Sequence, residues 1–348
     1  MLSEYFVEKG PPLHDAPEAR LPFPPALVLR YLKEALTADP LAPLLMGLKR
    51  TLKAGAALHT GLEFVPESAM RRLSGRYVLF ACIQLDTVVD ALPDFARASL
   101  VHGFVRAVLE GSEPPGALRR RVLGCRELTW TERLKTLRVM HNLRGLVRQT
   151  EAQLETPERQ RFFRDTLSAL IDAVIEDMNL EARAHDTLVA LAPEYPAMGL
   201  SGLEVLWLLK GRPLEEILAY RKLLGRGEQL ARLEDDILEV WKAQVEAREE
   251  AAVEARVDRR NLVLRHAKNL GWTLHASLAE ACLISGQVER QLERELGTVQ
   301  DPEIARELRR VLAFFPAYVD MVMGPHRVPA PEAVAESAPA TPPVRQVS

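Results

Sequence analysis

The chain has 348 residues, 27% of them charged and 47% apolar, with a formal net charge of −3; it is long enough to bury a sizeable core, as one large domain or two small ones. That charge balance supplies no global attraction to nucleic acid or to an anionic membrane. Cys82, Cys125 and Cys282 lie far apart and form no CxxC pair, which argues against structural zinc and for reduced thiols in a cytosolic compartment. The N-terminal stretch lacks a basic region followed by an apolar run, and nowhere do 18 apolar residues follow one another. Neither a signal peptide nor a membrane span is therefore expected, and the chain reads as soluble and cytoplasmic.

In chain order, residues 1–24 are punctuated by proline and predict an extended arm. From Pro25 onward Leu, Ala, Arg and Glu dominate and apolar residues recur every three or four positions, the mark of helix. Helices are expected near 25–37, 41–55, 67–92, 95–110, 117–125, 130–154, 157–187, 202–210, 213–250, 252–285 and 288–322. Thr129 with Glu132, and Ser201 with Glu204, have capping-box spacing. Thr156-Pro157 and Asp301-Pro302 each set an N-cap before a proline at the first helical position. No long period-two run suggests a sheet, and no repeat of 30–45 residues suggests a solenoid. The segment 324–348 is rich in Pro and Ala with little to bury, and predicts disorder. The expectation is an all-α protein of roughly ten helices over 25–323, with an arm and a tail.

Two acidic clusters stand out. Tyr77 to Ile83 is apolar on every side, as in a helix buried all round. The same stretch then carries Asp86 and Asp90, four residues apart, so both carboxylates share one face. Two buried charges need a cation, a metal ion or a wet cavity; a helix end emerging into solvent accounts for them as well. The second cluster is Glu234, Asp235, Asp236 and Glu239. Leu230, Leu233, Ile237, Val240 and Trp241 form the apolar stripe of that helix, with Asp235 and Glu239 on the other side and Asp236 at the border. A solvated face explains this pattern, but Leu224, Ala231 and Leu238 share the acidic side. Two such clusters facing across a bundle can hold Mg²⁺ ions through oxygen ligands, and those ions can clamp a diphosphate.

These residues resemble the class I isoprenoid synthases. Leu85-Asp86-Thr87-Val88-Val89-Asp90 is similar to their first aspartate-rich motif, nearest in wording to the DxxxD of squalene and phytoene synthases. Asp235-Asp236-Ile237-Leu238-Glu239 resembles the second DDxxD of trans-prenyltransferases. Against the (N/D)DxxSxxxE of bacterial terpene cyclases, Asp235 and Asp236 match, Glu239 stands at the Ser and Ala243 at the final Glu. Asn261-Leu262-Val263-Leu264 and the following WTLHASLAEA are similar to the stretch after that motif. No counterpart is evident for the C-terminal Arg-Tyr pair of cyclases, the Lys-Thr-Gly segment of chain-elongating enzymes or the Tyr-rich helix of the squalene branch.

The resemblance implies a single large helical bundle that binds a linear prenyl diphosphate through Mg²⁺ and ionises it. Asp86, Asp90, Asp235, Asp236 and Glu239 are its implied metal ligands, with Asp86, Asp90 and Asp236 at the centre of the chemistry. Arg183 and Lys242 are implied to bind the diphosphate. Terpene cyclisation is the leading expectation; a prenyl transferase of the squalene, phytoene or polyprenyl type, and a non-catalytic relative kept as a helical partner, are the alternatives. The resemblance also allows a homodimer.

Other stretches carry less. Asp177, Glu181 and His185 share a helix face, but no His follows a Glu by three residues as in di-iron bundles. The arginine-rich segment from Arg119 to Arg148 has few aromatics for base stacking. Trp130, Trp207, Trp241 and Trp272 are expected in the core. No P-loop, dinucleotide fingerprint or nucleophile elbow occurs.

Overall fold

In the computed structural model, residues 25–61, 65, 69–176, 178–179, 201–246 and 250–309 are described. The expected arm, the expected tail, Arg183 and the Asp177/Glu181/His185 stripe fall outside them. The described residues contain helices and no strand, as an all-α chain requires.

The first pair of helices is α1 (Pro25–Ala38) and α2 (Ala42–Gly61). They pack closely because Gly55 has no side chain: a Cβ there would stand 1.9 Å from the Tyr31 carbonyl oxygen. A kink at Gly47 (φ 76°, ψ 163°) divides α2, a backbone geometry that residues bearing a Cβ rarely adopt. Arg50 follows it by three residues.

The apolar run expected as one helix over 67–92 is three pieces: α3 (Ala69–Leu79), a π-helical segment Phe80–Leu85, and α4 (Asp86–Asp90). A π-turn takes one extra residue per hydrogen-bonded ring, which an uninterrupted apolar pattern does not reveal. There follow α5 (Phe95–Glu110), α6 (Pro115–Gly124), α7 (Trp130–Glu151) and α8 (Pro157–Glu176). The Thr129–Glu132 capping box closes α7 with both of its hydrogen bonds. Thr156 and Asp301 accept backbone N–H bonds at their helix starts. Glu204 is buried and accepts two hydrogen bonds from Arg221; the side chain of Ser201, its expected partner in a second box, is outside the described residues.

Next come α9 (Ser201–Leu209), the 33-residue α10 (Leu214–Glu246), α11 (Glu250–Glu254), α12 (Leu262–Leu270) and α13 (Leu274–Leu296). The helix expected over 252–285 is thus broken twice, and no boundary falls near 285. Asn261 accepts from the N–H groups of Val263 and Leu264, and Thr273 from that of Ala276; these caps end and restart the chain where composition alone reads as continuous helix.

Two apolar clusters form. The larger joins α2–α9 with the first part of α10, the end of α13 and the residues Ile304 and Leu308; the smaller joins Leu233, Ile237 and Val240 of α10 to Val253, Val257, Leu262, Val263, Leu274 and Leu278. Trp207 is fully buried, whereas Trp130 and Trp272 are 61% and 44% exposed, because both stand at helix starts rather than on an inward stripe. Asp86 and Asp90 adjoin the larger cluster through Leu85, Val88 and Val89, and Asp236 adjoins the smaller through Leu233 and Ile237.

Candidate active site

The first acidic motif is assembled where α4 meets α2. Both Asp90 carboxylate oxygens face guanidinium groups. Arg50 donates from Nη2 to Asp90 Oδ2 at 3.1 Å and from Nη1 to Thr87 Oγ1 at 2.6 Å. On the other side Arg260 Nη1 lies 2.6 Å from Asp90 Oδ1. That contact is ionic but poorly aligned, and Oδ1 is buried without a hydrogen bond among the described residues. Asp86, one turn earlier, accepts no hydrogen bond among the described residues. Part of its surface stays accessible, yet crowding by protein pushes its carboxyl up to about 7; the neighbouring Asp90 adds to the rise, and Arg260, Arg50 and Arg232 oppose it. Asp86 thus has cationic neighbours but, among the described residues, no hydrogen-bond donor.

The second motif is built differently. Asp236 is buried and accepts from the Leu262 backbone N–H at 2.8 Å and from Arg232 Nε at 3.2 Å. Its carboxyl too is pushed up to about 7, chiefly by burial, with Arg232 and the Leu262 N–H pulling it back. Glu239 accepts from the Asp258 N–H at 3.0 Å and from Asn261 Nδ2 at 2.9 Å. Asn261 also donates to the Asp236 carbonyl oxygen at 2.9 Å. Together Asp236, Glu239 and Asn261 tie α10 to the turn before α12. Asp235 is half-buried and stands next to these groups.

That turn carries Arg260. Asp258 grips it twice, from Nε at 3.2 Å and Nη2 at 2.9 Å, and Arg232 Nη2 donates to the Arg260 carbonyl at 3.4 Å. Burial alone would raise the Asp258 carboxyl, but these bonds hold it below its ordinary value. Burial likewise opposes the charge on Arg260, and Asp258, Asp90 and Asp86 more than restore it. A continuous line of contacts therefore runs Asp90–Arg260–Arg232–Asp236, joining helices remote in sequence. Asp86, Asp90, Asp235, Asp236 and Glu239 all belong to this one region. Lys242 lies on α10, but its side chain is outside the described set.

Sequence reasoning missed Arg50, Arg232, Asp258 and Arg260. Arg260 directly precedes the recognised Asn261-Leu262-Val263, and Arg232 stands four residues before Asp236, so position could have found those two. Nothing local marks Arg50, which only the kinked α2 brings to Asp90.

No protein-family model matches the chain, and no curated protein matches it. Solved structures do. Isoprene synthase from grey poplar leaves (Populus x canescens), in complex with three Mg²⁺ ions and dimethylallyl-S-thiolodiphosphate, superposes with a TM-score of 0.58 at 16% identity, over 84% of this chain and 54% of its own. The chain thus spans about half the length of that protein. 2-Methylisoborneol synthase from Streptomyces coelicolor A3(2) gives a TM-score of 0.56 at 13% identity, over 88% of this chain and 93% of its own. The fold is that of a class I terpenoid synthase. The same Streptomyces protein in complex with Mg²⁺ and geranyl-S-thiolodiphosphate superposes with a TM-score of 0.53 at 13% identity, covering 84% and 90%. Among the described residues of this terpenoid-synthase fold, no helix is long and apolar enough to cross a membrane.

The donor set of the first motif suits Mg²⁺. Carboxylate oxygens are the hard ligands that ion takes, and it is commonly held by one or two carboxylates completed by water and substrate phosphates. Among the described residues Asp86 accepts no hydrogen bond, and Asp90 Oδ1 is buried without one. Among the described residues no three His, Cys, Asp or Glu side chains converge as a cage, so an ion here would depend on such outside oxygens. In the second motif the Glu239 oxygens and Asp236 Oδ2 are committed to the turn, and Ala243 supplies no ligand.

Proposed function

We propose that this chain is a Mg²⁺-dependent class I terpenoid synthase that ionises a linear prenyl diphosphate, releases diphosphate and cyclises the resulting cation. The observation that carries this reading is the meeting of the two acidic motifs through Arg260 and Arg232, within a fold shared by synthases solved with Mg²⁺ and prenyl diphosphate analogues. Asp86 and Asp90 hold the metal, which when bound neutralises charge developing on the departing diphosphate. Arg50, Arg232 and Arg260 face the same space and bind its oxygens as guanidinium donors. Arg183 and Lys242 are further candidates for that role. Buried Leu85, Val88 and Val89 behind the aspartates keep water from the cation.

A non-catalytic relative is the second reading, favoured by Ala243 and by the commitment of Glu239 to the turn. Diphosphate release decides between them: the purified protein receives Mg²⁺ and C10, C15 or C20 prenyl diphosphates, singly and then in pairs. Metal-dependent release from a single substrate, abolished in Asp86→Asn, is expected. Release only from pairs points to a transferase, and none from any combination leaves the non-catalytic relative.

A further inference from the structure

The second acidic motif holds a turn, and the turn holds an arginine. Asp236 and Glu239 use their carboxylates on the backbone N–H groups of Leu262 and Asp258 and on Asn261. Asp258 takes the Nε and Nη2 edge of Arg260, which leaves Nη1 directed at Asp90. Arg260 is 7% exposed and thus fixed in place. A buried guanidinium gripped by one carboxylate and aimed at another is a permanent positive charge at a set position. In the resemblance to terpene cyclases the final Glu of this motif falls on Ala243, a buried core residue with no oxygen side chain to offer a metal.

We propose that the second acidic motif is an anchor rather than a metal site, and that the cation it delivers to the substrate diphosphate is the guanidinium of Arg260. This rests on the terpenoid-synthase reading above and specifies how that site is charged. Among the described residues the metal position is then at Asp86 and Asp90. The diphosphate meets the Nη1 end of Arg260 beside the metal at Asp86 and Asp90, while Asp258 keeps hold of the Nε and Nη2 edge. A guanidinium matches two phosphate oxygens and costs no metal recruitment.

The test uses the full chain with inorganic diphosphate and Mn²⁺ as probes. Calorimetry with Mg²⁺ present reads diphosphate affinity, and electron paramagnetic resonance counts bound Mn²⁺; thermal melts check that each variant is folded. Arg260→Gln is expected to weaken diphosphate at least tenfold, with Arg260→Lys recovering part of the loss. Asp235→Asn and Glu239→Gln are expected to leave the Mn²⁺ count unchanged, with Asp86→Asn lowering it. Either a fall in Mn²⁺ bound by folded Asp235→Asn or Glu239→Gln, or Arg260→Gln affinity within twofold of the parent, overturns the proposal while the synthase reading stands. A parent protein that binds no diphosphate even with Mg²⁺ overturns both. The Asp235→Asn count keeps the test decisive should Arg260→Gln not fold.

Discussion

The two acidic motifs look alike in sequence and behave unlike in space. In the first, Asp86 is left without a hydrogen bond among the described residues and Asp90 meets two guanidinium groups. In the second, Asp236 and Glu239 are engaged by backbone N–H groups, Arg232 and Asn261. Both Asp86 and Asp236 are crowded enough to titrate near 7, so burial does not separate them. What separates them is which partners they meet. A carboxylate bonded to backbone N–H groups is spent on architecture; one that lacks such donors is available to a cation. Acidic residues at metal-ligand spacing therefore do not reveal by spacing alone which of these tasks they perform.

The comparison can be broken at several points. The largest expected effect is on the first motif: Asp86→Asn should cut metal-dependent diphosphate release by about 10²–10³-fold, the scale of losing one electrostatic stabiliser of a transition state. Equal losses from Asp86→Asn and Asp235→Asn would erase the distinction.

The turn comes next. Asn261→Ala removes an N-cap serving Val263 and Leu264 together with two bonds to α10, and strands buried partners. A cost of about 3 kcal/mol is expected from a cap plus unsatisfied groups, read from urea midpoints.

The third effect has a sign fixed by linkage. The folded Asp86 carboxyl titrates at about 7 against an ordinary value of 3.8, so its protonated form favours the folded state. That contribution is full below the unfolded value and is lost as pH rises through 7. Asp86→Asn lacks the loss, so in metal-free protein its stability relative to the parent should rise from pH 5 to pH 8, by about 2 kcal/mol. Melting temperatures across that range check it, and a flat difference would remove the argument that burial raises the Asp86 carboxyl.

The smallest effect separates an anchor from a charge. Asp236→Asn keeps an acceptor for the Leu262 N–H and should change stability by less than about 1 kcal/mol, whereas Asp236→Ala leaves that N–H unsatisfied and should cost about 2 kcal/mol. Parallel denaturant curves distinguish the two.

The helical class and much of the element order were legible because they rest on local rules. Apolar spacing sets an inward stripe, and Thr129, Thr156 and Asp301 cap their helices with side chains a few residues from the groups they serve. The acidic motifs were visible for the same reason, as carboxylates at one-turn spacing. The π-helical segment before Asp86 was not, since a change of hydrogen-bond register within an apolar run leaves no mark on polarity. Nor were the breaks around α12: Ala-, Glu- and Leu-rich composition favours helix there, and caps at Asn261 and Thr273 outweigh it only once α10 and α13 are packed alongside.

The charge pairing was least legible of all. Arg50 reaches Asp90 by way of the kink at Gly47 and the packing of α2, and Arg260 reaches it because a turn is tied to α10 by residues 19 to 28 positions away. The sequence by itself determined the helices, their buried faces and the two acidic motifs, through interactions a turn or two long. Only the tertiary structure decided which carboxylates meet backbone donors and which meet guanidinium groups. Those contacts join chain segments that no local periodicity relates, and the energy of a buried charge depends on its neighbours in space.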